Sequence, residues 1–352
     1  MYSTKFQNSN SDNDIISIFP DILNRSNLSV STNASLFQIA TFFAIGPNIY
    51  ANGIVVTDRF SNHTKSTKEN NSTEDNTNDE SVVGIVGGKD VILNIINPQL
   101  FEPKSYYPAC LYEKKGINIM RKIVNDEIVG INTTLNEILE IFRRTKFAFI
   151  PIIESIKVDN RDGNALFHKL KGVLTVRDFL RLFIDTKINM NVKSIKKYEI
   201  NNIETIKNSH VSRISSDLIS VREDEFLKDA ISLMINKGVR NLGIIDNNSK
   251  FSGIINDRDI VEFLLNPALR VIAGCNQDSI NTGESNSNND SKILDEVKIK
   301  NNVEISSVRE IDENMLIKKA AELLLDSTNP YLVLKGGGRI VTPWDIVMKD
   351  II

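Results

Sequence analysis

Gly172-Val173-Leu174-Thr175-Val176-Arg177-Asp178-Phe179-Leu180 reads as a short apolar strand, a tight junction and a helix whose first turn holds an acid. The pattern returns three times, as Gly84-Ile85-Val86-Gly87-Gly88-Lys89-Asp90-Val91-Ile92, as Gly253-Ile254-Ile255-Asn256-Asp257-Arg258-Asp259-Ile260-Val261 and as Arg339-Ile340-Val341-Thr342-Pro343-Trp344-Asp345-Ile346-Val347. The aspartates that close the four copies stand at 90, 178, 259 and 345, at intervals of 88, 81 and 86 residues. So regular an interval makes the fold one unit used four times.

Working outward from each copy gives the same plan. In the first unit Leu28 to Val30 is extended, Leu36, Ile39, Ala40 and Phe43 recur at helical spacing, and Gly53 to Val56 and Val82 to Val86 form two strands. In the second, the extended piece is Ile128 to Ile131, the helix runs through Leu135, Ile138, Leu139 and Phe142, and the strand Phe147 to Ile153 meets a polar hairpin loop at Asp159 to Asn164. The third has Leu218 to Val221, a helix through Leu227, Ala230, Ile231 and Met234, strand Leu242 to Ile245 and a turn at Asp246 to Asn248. The fourth has Ile305 to Val308, a helix through Leu316, Ala320, Leu323 and Leu324, strand Tyr331 to Leu334 and the turn Lys335 to Gly338. Each unit is β-α-β-β-α, an α+β arrangement too small to stand comfortably alone, so pairing is expected.

Composition sets the outer bounds. A chain of 352 residues with 41% hydrophobic and 25% charged residues folds around a real core. Lys and Arg total 42 against 45 Asp and Glu, a net charge of -3 without a long single-sign block, which argues against binding along a nucleic-acid backbone. No apolar run approaches the roughly 18 residues of a membrane span, and residues 1–14 carry no apolar signal core, so the reading is cytoplasmic and off the membrane. Cys110 and Cys275, far apart, offer neither a disulfide framework nor a thiol metal motif. His63, His168 and His210 lie far apart in loop-like sequence and support no metal or general-base site. No nucleophile-base pair or phosphate-cradling loop marks an enzyme.

The domain reading follows: a disordered tail at 1–14, repeat 1 at 15–98 with an Asn-rich insertion at 61–80, a linker at 99–116 and repeat 2 at 117–186. A polar linker at 187–210, repeat 3 at 211–268, a flexible linker at 269–295 and repeat 4 at 296–352 complete it.

The unit ending in Gly-apolar-apolar-[Thr/Ser]-x-x-Asp resembles the CBS (cystathionine β-synthase) domain, most clearly in Gly238 to Asp246 followed by Gly253 to Asp259. The resemblance runs from about residue 15 to the last residue and implies four repeats paired into two tandem (Bateman) modules, the first with the second and the third with the fourth. It further implies a non-catalytic regulatory module that binds AMP, ADP, ATP or S-adenosylmethionine in clefts between repeats and acts on a protein partner, with a homodimer expected. The alternative it leaves is a ligand-free interaction module with degenerate clefts.

By the same resemblance Asp178 and Asp345 accept ribose hydroxyls, Thr175 and Thr342 touch sugar or phosphate, and Asn256, Asp259 and Asp90 stand at the matching places. Backbone N–H groups at each helix start suit a phosphate, and Arg177 and Arg258 are candidate charge-assisted donors to it. Ser29, Ser220 and Ser307 fall in first strands, with Gly130 in the second unit, and Ile153 and Ile245 are candidates for the base pocket. Trp344 either stacks on a base or packs within its module. Thr-x-x-Asp is equally a helix capping box, and Gly87, Thr175, Asn256 and Thr342 are all accepted N-caps. Capping explains the spacing without a ligand, so both readings stay open at this level.

Overall fold

The computed structural model describes residues 18–19, 22, 28–45, 53–59, 80–96, 114–124, 127–147, 149–160, 163–184, 205–266, 297–326 and 331–350. The expected tail, the Asn-rich insertion, most of the three linkers, Cys110, Cys275 and His63 lie outside the described residues.

The first unit consists of β1 (Ser29–Ser31), α1 (Leu36–Ile45), β2 (Gly53–Arg59), β3 (Glu80–Gly87) and α2 (Gly88–Ile95). A leader, α3 (Gly116–Ile119) and β4 (Arg121–Lys122), opens the second unit, which continues with β5 (Val129–Gly130), α4 (Leu135–Thr145), β6 (Phe149–Asn160) and β7 (Gly163–Thr175). Its closing helix starts as a 3-10 turn, Val176–Leu180, and goes on as α5 (Arg181–Ile184). The third unit has leader strand β8 (Ser216–Asp217), then β9 (Ser220–Arg222), α6 (Leu227–Lys237), β10 (Asn241–Ile245), β11 (Phe251–Asn256) and α7 (Asp257–Leu264). The fourth has leader α8 (Ile299–Asn302), β12 (Glu310–Ile311), α9 (Ile317–Asp326), β13 (Leu332–Leu334), β14 (Arg339–Val341) and α10 (Pro343–Asp350).

Two sequence expectations shift. The first strand of the fourth unit is Glu310–Ile311, not Ile305 to Val308; Ser306 instead bridges to Ile254, so Ser307 precedes the strand. The hairpin loop expected at Asp159 to Asn164 narrows, because β6 and β7 stay paired from Phe149↔Thr175 to Asn160↔Gly163. Cross-strand hydrogen bonds satisfy the backbone along that hairpin, so the turn shrinks to its tip. His168 therefore sits in a strand, its ring nitrogen 3.1 Å from Ser155 Oγ.

Sheets join the units in pairs. In the first pair β1 and β5 run parallel to β2 and β6, and one seven-stranded sheet forms in the order β1-β2-β3-β7-β6-β5, with β4 on β3. In the second pair the strands form two sheets, β11-β10-β9 and β12-β13-β14-β8. Leu28, Val55, Ile85, Phe149, Ile153 and Val173 pack the first pair together, and Leu218, Ile254, Tyr331, Val333 and Ile340 the second.

Helices then join the pairs. Leu36, Ile39 and Val91 of the first unit share one apolar cluster with Ala230, Ile231 and Ile260 of the third. Phe142, Phe179 and Phe183 of the second share another with Ile317, Leu324 and Ile346 of the fourth. Helices with three to four apolar residues per two turns must bury that stripe, and here each unit finds its partner in the other pair. At one crossing, a Cβ on Gly88 would stand 2.3 Å from Asp257 Oδ2 and 2.6 Å from Phe43 Cζ, so only glycine admits this approach of α2 to α7.

The leaders are exchanged within each pair. Phe19, ahead of the first unit, stacks on Phe179 of the second at 5.3 Å between ring centroids. Ile119, ahead of the second, packs into the cluster of the first, where Leu36 N donates to Lys114 O at 2.8 Å. Val211 N donates to Met315 O at 2.8 Å and β8 pairs with β14, while Ile299 and Val303 close the cluster of the third unit.

Candidate functional site

The four closing helices begin near one another. Their acids all do the same local work, because Asp90, Asp178, Asp259 and Asp345 each accept a hydrogen bond from the N–H three residues back, on Gly87, Thr175, Asn256 and Thr342, every one at 2.8 Å. The acid's half of the capping box is thus present in all four units, and the N-cap side chain accepts a helix N–H in the third and fourth. What separates the four is what remains of each carboxylate.

Asp345 is fully engaged. Its Oδ2 also accepts from Thr342 Oγ1 at 2.7 Å, and its Oδ1 accepts from Ser216 Oγ at 2.5 Å and pairs with Lys349 Nζ at 3.2 Å. Asp178 is buried, takes Thr175 Oγ1 at 2.8 Å on the oxygen that caps the helix, and lines neither cavity described below. Asp259 differs: its Oδ2 caps the helix, and among the described residues no hydrogen bond reaches its other oxygen. Burial pushes its carboxyl up to about 7, helped by the nearby Asp257, Glu262 and Glu304 against the Asn256 N–H. Burial likewise raises the carboxyl of Asp90, opposed by the Gly87 N–H, Lys89 and Arg121.

Asp259 faces a central cavity of about 690 Å³ bounded by all four units. The helix starts at Thr175-Val176, Asn256-Asp257 and Thr342-Pro343 open onto it, as do Trp344 and Tyr331. Its size falls in the range of small-molecule pockets, and the helix starts bias it toward an anionic group. A smaller cavity of about 170 Å³ holds Asp90 with Gly87, Lys89, Arg121 and an apolar floor of Phe149 and Met234.

The two candidate phosphate donors each make a hydrogen bond across the pairs. Arg177 reaches across to Leu325 O in the last turn of α9 at 2.6 Å, and Arg258 Nε reaches Ala44 O in the last turn of α1 at 2.5 Å. Each cation thus rests on a helix C-terminus of the opposite pair, where carbonyls lack helical partners and the dipole is negative. Arg177 is 8% exposed, and both arginines line the central cavity while making these inter-pair clasps. Ser29 and Ser220 do lie in β1 and β9, but Ile153 is committed to packing between sheets and Ile245 borders neither cavity. Trp344 borders the central cavity and also packs against the cluster of the second and fourth units.

Sequence reasoning missed Arg240, which pairs bidentately with Asp257 at 2.7 and 3.0 Å between the two cavities. It also missed Tyr331. A polar residue beside a conspicuous helix start was the available signal for the first. Among the described residues no cluster of His, Cys, Asp and Glu suits a metal ion, and no helix is long and apolar enough to cross a membrane.

The raised Asp259 carboxyl has a consequence for stability. It holds its proton up to about pH 7 when folded against 3.8 when free in water, so ionisation costs the folded chain. Its stabilising contribution is complete below pH 3.8 and is lost as the pH rises through about 7. Compared with Asp259→Asn in denaturant melts, the unliganded wild type is expected to fall behind by about 2–3 kcal/mol between pH 5 and pH 8. A gap that does not change with pH would reject the shift.

Residues 117–185 and 211–266 match the family model of the CBS domain. The uncharacterized protein MJ1426 of Methanocaldococcus jannaschii is 22% identical over 165 residues, 42% of this chain and 89% of that protein. The uncharacterized protein MK0525 of Methanopyrus kandleri is 41% identical over 49 residues, 14% of this chain, and the match spans only 25% of that protein's length. Among solved structures, protein MJ1225 of Methanocaldococcus jannaschii, a proposed archaeal homolog of g-AMPK, aligns with a TM-score of 0.57 at 17% identity over 91% of this chain and 94% of that one. The second and third repeats thus match the CBS domain model, and the chain shares its fold with MJ1225 along nearly its whole length.

Proposed function

We propose that the chain is a non-catalytic regulatory module that binds an adenine nucleotide or related adenosyl ligand in the cavity between its repeats and signals to a partner protein. The observation that carries this reading is the open oxygen of Asp259 at a helix start on a cavity of about 690 Å³. A carboxylate with a spare oxygen takes hydrogen bonds from a sugar diol, and adjacent helix N–H groups favour phosphate. The adenine comes from the family resemblance. The repeat boundaries set out above, a homodimer and a cytoplasmic setting belong to the same proposal.

The ranking of sites changes with the geometry. Asp259 leads and Asp90 follows, while Asp345, its oxygens held by Thr342, Ser216 and Lys349, is assigned to capping, and so is Asp178. That saturation also favours the second reading, an interaction module whose clefts no longer take ligand. Calorimetric titration of the full chain with AMP, ADP, ATP and S-adenosylmethionine separates the two. Saturable heat is expected with at least one of them and no nucleotide hydrolysis on prolonged incubation; silence with all four supports the second reading.

A further inference from the structure

Tyr331 directly precedes β13 with 1% of its surface exposed, it lines the central cavity, and its hydroxyl has no hydrogen-bond partner among the described residues. Asn256 and Ser306 lie beside that hydroxyl without meeting hydrogen-bond geometry with it. Leaving a buried hydroxyl unpaired costs about 1–3 kcal/mol, so such an atom calls for an account.

Packing does not supply one. Strand register places Gly53 opposite Gly87, Phe149 opposite Thr175 and Asn241 opposite Asn256, and the Leu332↔Val341 pair sets Tyr331 at the same place in the fourth unit. Phe149 fills that place in the second unit with a plain ring, 3% exposed, within the apolar layer between the sheets. Tyr331 occupies the matching layer of the other pair. The ring is therefore the packing element and the hydroxyl is surplus to it.

The hydroxyl has a neighbour with the complementary need. Asn256 neighbours both groups, its side chain beside the Tyr331 hydroxyl and its N–H 2.8 Å from Asp259 Oδ2. Asp259 has an acceptor oxygen to spare, and Tyr331 has a donor to spare. Burial raises the phenol as well, which keeps it protonated and a donor at neutral pH.

We propose that Tyr331 is a specificity-determining residue of the central cavity, donating to one hydroxyl of a vicinal diol whose hydroxyls donate to Asp259, so that the site selects a ribose over a deoxyribose. The proposal rests on the nucleotide reading above and names the part of the ligand that the third and fourth units recognise. Sites that hydrogen-bond a substrate hydroxyl reject analogues lacking it, because their own buried groups are then left unpaired.

The test is calorimetry of the full chain, wild type and Tyr331→Phe, with AMP, 2′-deoxy-AMP and 3′-deoxy-AMP as probes. The wild type is expected to prefer AMP over at least one deoxy analogue by about tenfold. Tyr331→Phe is expected to lose about 5–10-fold of its AMP affinity and to bring that ratio near unity, with a melting temperature at or above the wild type's, since the substitution deletes only an unpaired hydroxyl. The ratio is independent of any modest change in folding. If Tyr331→Phe keeps the wild-type ratio, whatever its melting temperature, the proposal is overturned while the nucleotide reading stands. If the wild type binds none of the three probes the proposal is overturned, and silence with ADP, ATP and S-adenosylmethionine as well overturns the nucleotide reading with it.

Discussion

Asparagine at position 259 is expected to weaken AMP binding about 10–100-fold in calorimetry, the effect of one or two charge-assisted hydrogen bonds at roughly 1.5–3 kcal/mol in all. The amide oxygen of Asn can still accept from Asn256 N, so the helix start keeps its cap, and only the charge and the open acceptor are lost. Asp345→Asn makes the contrast. That substitution strips a carboxylate that meets Ser216 and Lys349, so its expected effect is on thermal stability with AMP affinity within about threefold. Equal losses of affinity in both variants would sink the ranking of the sites, and an unchanged Asp259→Asn would sink the assignment itself.

Alanine at Phe179 is expected to remove about 3–5 kcal/mol of stability, seen as a large shift in the denaturant midpoint. Phe179 is fully buried, meets Phe19 at 5.3 Å and Phe142 edge-on at 5.7 Å, and lies in the cluster that also holds Leu324 and Ile346. The cavity would therefore open where the leader of the first unit, the second unit and the fourth unit meet. A loss under about 1.5 kcal/mol would mean that this cluster can collapse around the gap, contrary to close packing of the three.

The fourfold plan was legible in the sequence because it rests on local signals. Apolar runs of strand length, helical spacing as in Leu227, Ala230, Ile231 and Met234, and an acid three residues after each cap are all short-range features. The roles of the acids were not legible. Asp345 and Asp259 occupy equivalent places, and what separates them is Ser216, which lies 129 residues from Asp345 in the chain. The clasps of the arginines were hidden for the same reason, since their carbonyl partners Leu325 and Ala44 lie 148 and 214 residues away. Tyr331 passed as one apolar residue in a strand, because its unpaired hydroxyl is a property of its surroundings. The turn cluster at Asp159 to Asn164 sent the reading toward a loop, where backbone pairing carries the hairpin on to Asn160↔Gly163.

The traded leaders give the molecule a seam that does not fall where the sequence repeats. A cut made just before a repeat takes with it the piece that finishes its neighbour's interior, as Val211 and Ile214 do for the fourth unit and Ile299 and Val303 do for the third. Removal of one unit alone would thus strip its neighbour of the segment that closes its interior.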